Sequence, residues 1–235
     1  MILSNENIYN LVKAIIRKES RGGVFTPDDF NLRFPVLVRE RYDYKKGEME
    51  RTSDITEDME HYLASVTPVY AGSGQYAKPA NFEKHLGAMA VSNGVYRHLD
   101  LITRMEYTQL NSLTQPTLRN PVMYYENGYC YVKPPTSQGV QIHYMVSPVE
   151  PFLDYYYDSN RNIVFLAVDA TVNIVAPALY RDGTTGDKTS TTIECDLSDS
   201  DKIAVMYMLL KQYGVSLPDE MLLQYGMNEQ MKAEQ

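Results

Sequence analysis

The chain has 235 residues, enough to bury a sizeable core as one large domain or as one domain with a substantial insertion. Thirty acidic residues against 22 basic ones give a formal charge of −8, which argues against a nucleic-acid binder that neutralises many phosphates and is compatible with the acidic lining of a DNA channel. Only two cysteines, Cys130 and Cys195, no Asn-x-Ser/Thr acceptor, no basic-then-apolar start and no apolar run of membrane length lead to the expectation of a chain that is cytoplasmic at synthesis and does not enter a membrane.

The first predicted element is a helix opened by Ser4, with Ile8, Leu11, Val12, Ile15 and Ile16 on one stripe and Arg21-Gly22-Gly23 as its stop. Thr26-Pro27-Asp28-Asp29 starts a second helix: a capping hydroxyl, proline at the first helical position and carboxylates at the positive end of the dipole. Pro35 is expected to break or kink it before Val36 to Arg41 resumes. Ser53 or Asp54 can cap a short amphipathic helix through Ile55, Met59, Tyr62 and Leu63 that stops before Thr67-Pro68. A flexible joint at Ala71 to Ala77 then places a domain boundary.

A β-rich stretch follows. Phe82 to Ala90 fits helix or strand, and the Ser92-Asn93-Gly94 turn favours two strands around it. Thr103 and Glu106 form a capping box for a short helix over Arg104 to Ser112. Val122 to Tyr125 and Tyr129 to Val132 flank Asn127-Gly128, the strongest hairpin signal in the chain, and Val140 to Val146 supplies a third strand before Ser147-Pro148. Asn162 to Val168 and Thr171 to Ala176 read as strands, and Asp182 to Ser190 as a mobile polar loop. Ser198 with Asp199 and Asp201 opens a helix with the stripe Ile203, Met206, Leu210 and Tyr213, ended by Gly214. Leu217-Pro218-Asp219-Glu220 opens a last helix through Met221, Leu222 and Tyr225, leading to the polar tail Asn228 to Gln235. The fold class expected is α+β: a helical bundle built from both ends of the chain, residues 1–78 and 194–235, carrying a β-rich, sandwich-like insertion over 79–193.

The search for chemistry returns little. His61, His85, His98 and His143 have no pairing at helical spacing and no cysteine pair beside them, so neither a metal nor any other cofactor is expected. Gly72-Ser73-Gly74 lacks the rest of a dinucleotide loop. The carboxylate pairs Asp28-Asp29, Asp199 with Asp201, and Asp219-Glu220 each open a helix, where the dipole explains them without catalysis. Cys130, mid-strand among tyrosines, reads as a buried inert thiol. With no catalytic residue assembled, a non-enzymatic role is expected, and attention shifts to 20 tyrosines and 12 methionines, residue types suited to adaptable contact surfaces. Tyr124, Tyr125, Tyr129 and Tyr131 of the hairpin, Tyr155-Tyr156-Tyr157, and Leu222 with Tyr225 are the expected subunit-interface residues; of the three consecutive tyrosines at most two share a face.

Thr26-Pro27-Asp28-Asp29-Phe30-Asn31 after a first helix, Pro116-Thr117-Leu118-Arg119-Asn120-Pro121 before the tyrosine-rich hairpin, Val146 to Pro151, Gly214 to Leu217 and Leu222 to Tyr225 occur in an order that resembles the ring, or head-to-tail connector (adaptor), proteins of crAss-like and related short-tailed phages of gut Bacteroidales. The resemblance covers most of the length; Pro35 and the Cys195-Asp196-Leu197 entry to the helix opened by Ser198 depart from it. It implies a twelve-fold homo-oligomeric ring in the virion, docked below the portal protein at the capsid vertex. Genomic DNA would pass through that ring without sequence-specific binding, and other ring and tail proteins would dock on it. The competing reading is a tyrosine-rich binding module, a fibre or carbohydrate-recognition protein.

Overall fold

The computed structural model describes residues 3–18, 24–52, 57–92, 94–110, 115–135 and 139–215. The expected last helix with Leu222 and Tyr225, the tail Asn228 to Gln235 and the Arg21-Gly22-Gly23 stop lie outside them. Helices run over Asn5–Lys18 (α1), Pro27–Thr52 (α2), Arg104–Gln109 (α3) and Asp199–Gln212 (α4). Together with several sheets they make an α+β chain with a β-rich region. It divides into two compact units, one from Met1–Asp54 with Pro148–Gln235 and one from Ile55–Ser147.

The inserted unit begins with a 3-10 turn over Glu57–Tyr62 and continues through strands Leu63–Val66 (β1), Tyr70–Gly72 (β2), Gln75–Ala77 (β3), Phe82–Ser92 (β4), Val95–His98 (β5), Asp100–Leu101 (β6), Val122–Glu126 (β7), Tyr129–Lys133 (β8) and Val140–Val146 (β9). They form a four-stranded sheet in the order β1-β9-β4-β5 and a five-stranded sheet in the order β2-β3-β8-β7-β6. Val140, Ile142 and Tyr144, alternate residues of β9, bury on one face with Ala88 and Ala90 of β4. From the other sheet Tyr76, Met123, Cys130 and Val132 complete the same core, so two sheets enclose one apolar layer. The Asn-Gly signal forms the β7–β8 hairpin: Asn127 at φ +48° and Gly128 at φ +77° take the left-handed geometry that matches strand twist.

The helical unit has a different logic. Ser4 caps α1 by accepting from the Asn7 amide at 3.2 Å, and Ile8, Tyr9, Val12, Ile15 and Ile16 are buried along its inner face. Thr26 and Asp29 cap α2 reciprocally, at 3.1 Å in each direction. Pro35 does not break this helix, which runs unbroken for 26 residues. Phe30, Phe34, Leu37, Val38 and Tyr42 are all buried on one face that spans the proline, and that continuous packing outweighs the hydrogen bond proline cannot make. Phe30 stacks on Phe34 at 4.5 Å, and Tyr9 meets Phe25, Phe30 and Phe165 in an aromatic cluster. α4 starts at Ser198 as expected, but its buried face is Val205, Met206, Leu209 and Leu210, with Ile203 and Tyr213 only half-buried. Gly214 at φ +73° ends it, and the Val215 amide reaches back to the Leu210 carbonyl at 3.1 Å in a Schellman closure.

Strands Tyr155–Tyr157 (β10), Ile163–Phe165 (β11), Thr171–Ile174 (β12), Leu179–Tyr180 (β13) and Gly186–Thr189 (β14) belong to this unit, as β11-β10-β13 and as the pair β12-β14. Three expectations need correction. Asp182 to Ser190 is not one polar loop: Asp182 to Thr184 turns tightly, and β14 pairs antiparallel with β12, a 2.6 Å Asn173–Asp187 side-chain bond crossing a pair that polar composition disguised. The segment with Met59 and Tyr62 is a 3-10 turn, and Leu63 opens β1 because it pairs with Met145. The division falls at Asp54/Ile55 and Ser147/Pro148, whereas 79 and 193 were expected. β1 and β3 pair with β9 and β8, which draws residues 63–77 into the β unit, while Leu153 and Tyr155 are bonded to α2.

Asp154 sits at the centre of the helical unit with no exposed surface. It accepts from the Tyr180 hydroxyl at 2.5 Å, the Thr191 amide and hydroxyl at 2.9 and 3.0 Å and the Tyr155 amide at 2.9 Å, and pairs with Arg181 at 2.9 Å. Burial alone raises its pKa, but the hydrogen bonds together prevail and hold the carboxyl below its ordinary range. The folded value is thus the depressed one, so the stabilisation is complete above about pH 4 and fades as acid protonates the native carboxylate. D154N should lower unfolding free energy by about 3 kcal/mol at pH 7 in urea titration, and its deficit should shrink below about pH 4 as the wild type loses the same contribution. A deficit independent of pH would contradict an ionised, stabilising Asp154.

Candidate functional site

The surfaces expected to meet other chains begin with the hairpin. Met123 and Tyr125 of β7 and Cys130 and Val132 of β8 turn inward; Tyr124 and Tyr131 lie opposite each other on the outer face, stacked in parallel at 5.0 Å. α3 lies along this face: its Tyr107 stacks on Tyr124 at 5.3 Å and its Arg104 pairs with Glu126. The Thr103–Glu106 capping box expected from sequence sets the start of α3, with the Thr103 amide donating to Glu106 at 2.6 Å. Tyr124 is buried in this three-ring stack, leaving Tyr131 half-buried and Tyr129 exposed at its margin. Tyr125 is half-buried on the other face: it packs on Phe82 at 5.1 Å and its hydroxyl meets His85 Nδ1 at 3.0 Å. Burial, with smaller contributions from His98 and His143, pulls the His85 pKa down.

Tyr155 is buried, and its hydroxyl donates to Asp28 at 2.8 Å. Tyr157 meets Tyr155 edge-on at 5.6 Å, while Tyr156 packs on the opposite side with Leu166, Ile174 and Tyr180. The three consecutive tyrosines therefore divide between two faces, and Tyr155 serves the fold of its own unit. Leu222 and Tyr225 lie outside the described residues.

The motif residues have internal partners as well. In Thr26 to Asn31, Asp29 caps the helix, Asp28 holds Tyr155, Phe30 enters the core, and Asn31 pairs with Leu153 through both backbone groups at 2.9 Å each, as a strand neighbour would. Asn5, fully buried, does the same for residues 193–195: its side-chain amide donates to the Ile193 carbonyl at 2.8 Å and its carbonyl accepts from the Cys195 amide at 3.2 Å. Asp201 caps α4 with Ser198 and takes a 2.6 Å bond from Arg41, joining α2 to α4. Asp28-Asp29 and Asp199 with Asp201 occupy the first turns of α2 and α4 as expected, Asp219-Glu220 lie outside the described residues, and Asp28 and Asp201 also tie distant segments together.

Among the described residues no group of three or more His, Cys, Asp or Glu side chains is placed to hold a metal ion, and no helix is long and apolar enough to cross a membrane. The surfaces that sequence reasoning missed are the two outer strands of the five-stranded sheet. Val69 and Tyr70 beside β2, and Leu101, Met105 and Leu118 around β6, are exposed apolar residues. The uncharged run Pro68-Val69-Tyr70-Ala71-Gly72 was the available signal, of which only Ala71 and Gly72 fall within the expected joint. No protein-family model matches the chain, and no curated protein matches it.

Both cysteines are buried and unpaired. Burial pushes the Cys130 thiol up to about 12; for Cys195, burial, opposed by a backbone hydrogen bond and nearby Lys202, brings it to about 11. Native protein at pH 8 should therefore resist a disulfide-exchange reagent, labelling both thiols only on unfolding. A fast-reacting native thiol would show an exposed, activated cysteine.

Proposed function

We propose that this chain is a non-enzymatic structural protein of a phage virion, forming an oligomeric ring below the portal that extends the DNA channel and joins capsid to tail. One observation carries the reading: the two ends of the chain close a helical unit, from which a two-sheet unit with exposed apolar edges is inserted. That construction suits a ring part, in which one unit sets the body and another offers contact surface to neighbours. The motif residues that carry the resemblance to connector proteins support it further, since Thr26 to Asn31 link α2 to the returning chain at Leu153 and Tyr155. A charge of −8 fits a passage through which DNA slides without being held.

The competing glycan-binding reading draws on Tyr129 and Tyr131, at the margin of the outer face of the hairpin. It is weaker because Tyr124, Tyr125 and Tyr155 are engaged internally.

Mass photometry of the purified protein, alone and with a portal protein from a crAss-like phage, tests the proposal. A closed multimer of defined mass, or a stable complex with the portal, is expected. A chain that stays single at micromolar concentration and ignores the portal defeats it.

A further inference from the structure

We infer that residues 216–225 fold back on the outer face of α2 of their own chain, with Asp219 and Glu220 seated at Arg33 and with Met221, Leu222 and Tyr225 covering Leu32 and Val36. This contact lies within one chain and does not depend on ring formation. α4 runs antiparallel to α2: near its start Asp201 accepts from Arg41 at 2.6 Å, and at its end Gln212 accepts from Arg33 at 3.3 Å. The chain therefore reaches Gly214 and Val215 beside the first half of α2, where the Arg33 guanidinium lies over the Tyr213 ring at 5.0 Å and Tyr213 meets Phe25 edge-on at 5.3 Å. Gly214 at φ +73° turns the chain there, and Pro218 follows at the position that opens the last helix expected from sequence. A helix joined to α4 by so short a link runs back along it, and so along α2.

The junction holds donors without acceptors. Arg33 Nε and the Tyr213 hydroxyl are buried and have no hydrogen-bond partner, a condition that folded proteins rarely leave unanswered. The Arg33 Nη1 bond goes to a neutral amide, and among the described residues no carboxylate pairs with the guanidinium; Asp29, one turn earlier on α2, is engaged by Thr26. Asp219 and Glu220 follow Val215 by four and five residues, an extended reach of roughly 13–18 Å, and a carboxylate is the acceptor that an arginine fork takes best. Alongside Arg33 the helix leaves apolar side chains in water: Leu32 is 71% and Val36 64% exposed, four residues apart on one face. Met221, Leu222 and Tyr225, at helical spacing, supply the apolar cover. Charge and reach together select this occupant. A segment tethered so closely is present at an effective concentration on the order of millimolar, which a second copy or a foreign protein at micromolar concentration does not match.

Thiol labelling of the full chain tests the contact, both native cysteines being buried. Val36→Cys is compared with Val175→Cys, which replaces a residue of the same unit that is 70% exposed. With a fluorescent maleimide, Val36→Cys should label at least tenfold more slowly than Val175→Cys, and adding Asp219→Lys with Glu220→Lys should restore its rate. A short bis-maleimide should then bridge Val36→Cys to Leu222→Cys inside one chain, leaving the mass of a single copy on a denaturing gel. Equal labelling of the two exposed positions would overturn the contact. Protection that survives the charge reversal would overturn the pairing with Arg33. Bridges that join separate chains, or no bridge at all, would overturn the fold-back and leave the α2 face to another occupant.

Discussion

A buried carboxylate has to be answered by donors from several directions, and Asp154 meets that demand by gathering the chain around itself. Tyr155 follows it, Thr191 and Thr192 return beside it, Tyr180 and Arg181 close over it, and its own carbonyl bonds the Leu166 amide at 2.9 Å. Arg181 also lies over the Phe152 ring at 4.8 Å, which fixes the cation as well as the anion. The residues on either side, Leu153 and Tyr155, are the ones Asn31 and Asp28 grip from α2. Short strands of two to four residues could not hold position by ladder bonds alone, so this polar knot stands in for the length they lack.

The tyrosines show how one residue type meets several needs. Tyr9 lies in the aromatic core, its hydroxyl donating to the Phe25 carbonyl at 3.3 Å. Tyr180 donates to the buried carboxylate of Asp154 and Tyr155 to the exposed one of Asp28. Tyr124 and Tyr131 form a stack that glues α3 to a sheet. Each is a large apolar ring with a polar tip that finds a partner or reaches water, which is why a chain without tryptophan can use so many.

What could be read in advance was local. The Asn127-Gly128 turn, the Thr103–Glu106 and Ser198–Asp201 caps and the α1 stripe each depend on neighbours within a few positions, and each formed as expected except that Tyr9 is fully buried on α1 where Leu11 is half-buried. What could not be read depends on partners far along the chain. Pro35 is tolerated because of the packing on either side of it, and Gly186 to Thr189 pairs because β12 lies beside it, a fact without any apolar alternation to announce it. For the interface tyrosines, periodicity separated Tyr155 and Tyr157 from Tyr156 but could not say which face was inside. Asp154 was invisible, since one aspartate before three tyrosines looks like any turn residue.

The closure of the helical unit by both ends of the chain has a temporal side. During synthesis α1 and α2 emerge first, yet α4, against which they pack, follows only after more than a hundred further residues. The inserted unit is contiguous, so it can reach its native state while Phe30, Phe34 and Leu37 still wait for their cover. A nascent chain in that condition carries an apolar helix face for most of its translation. Its maturation then waits on α4, which acts as the clasp that covers that face.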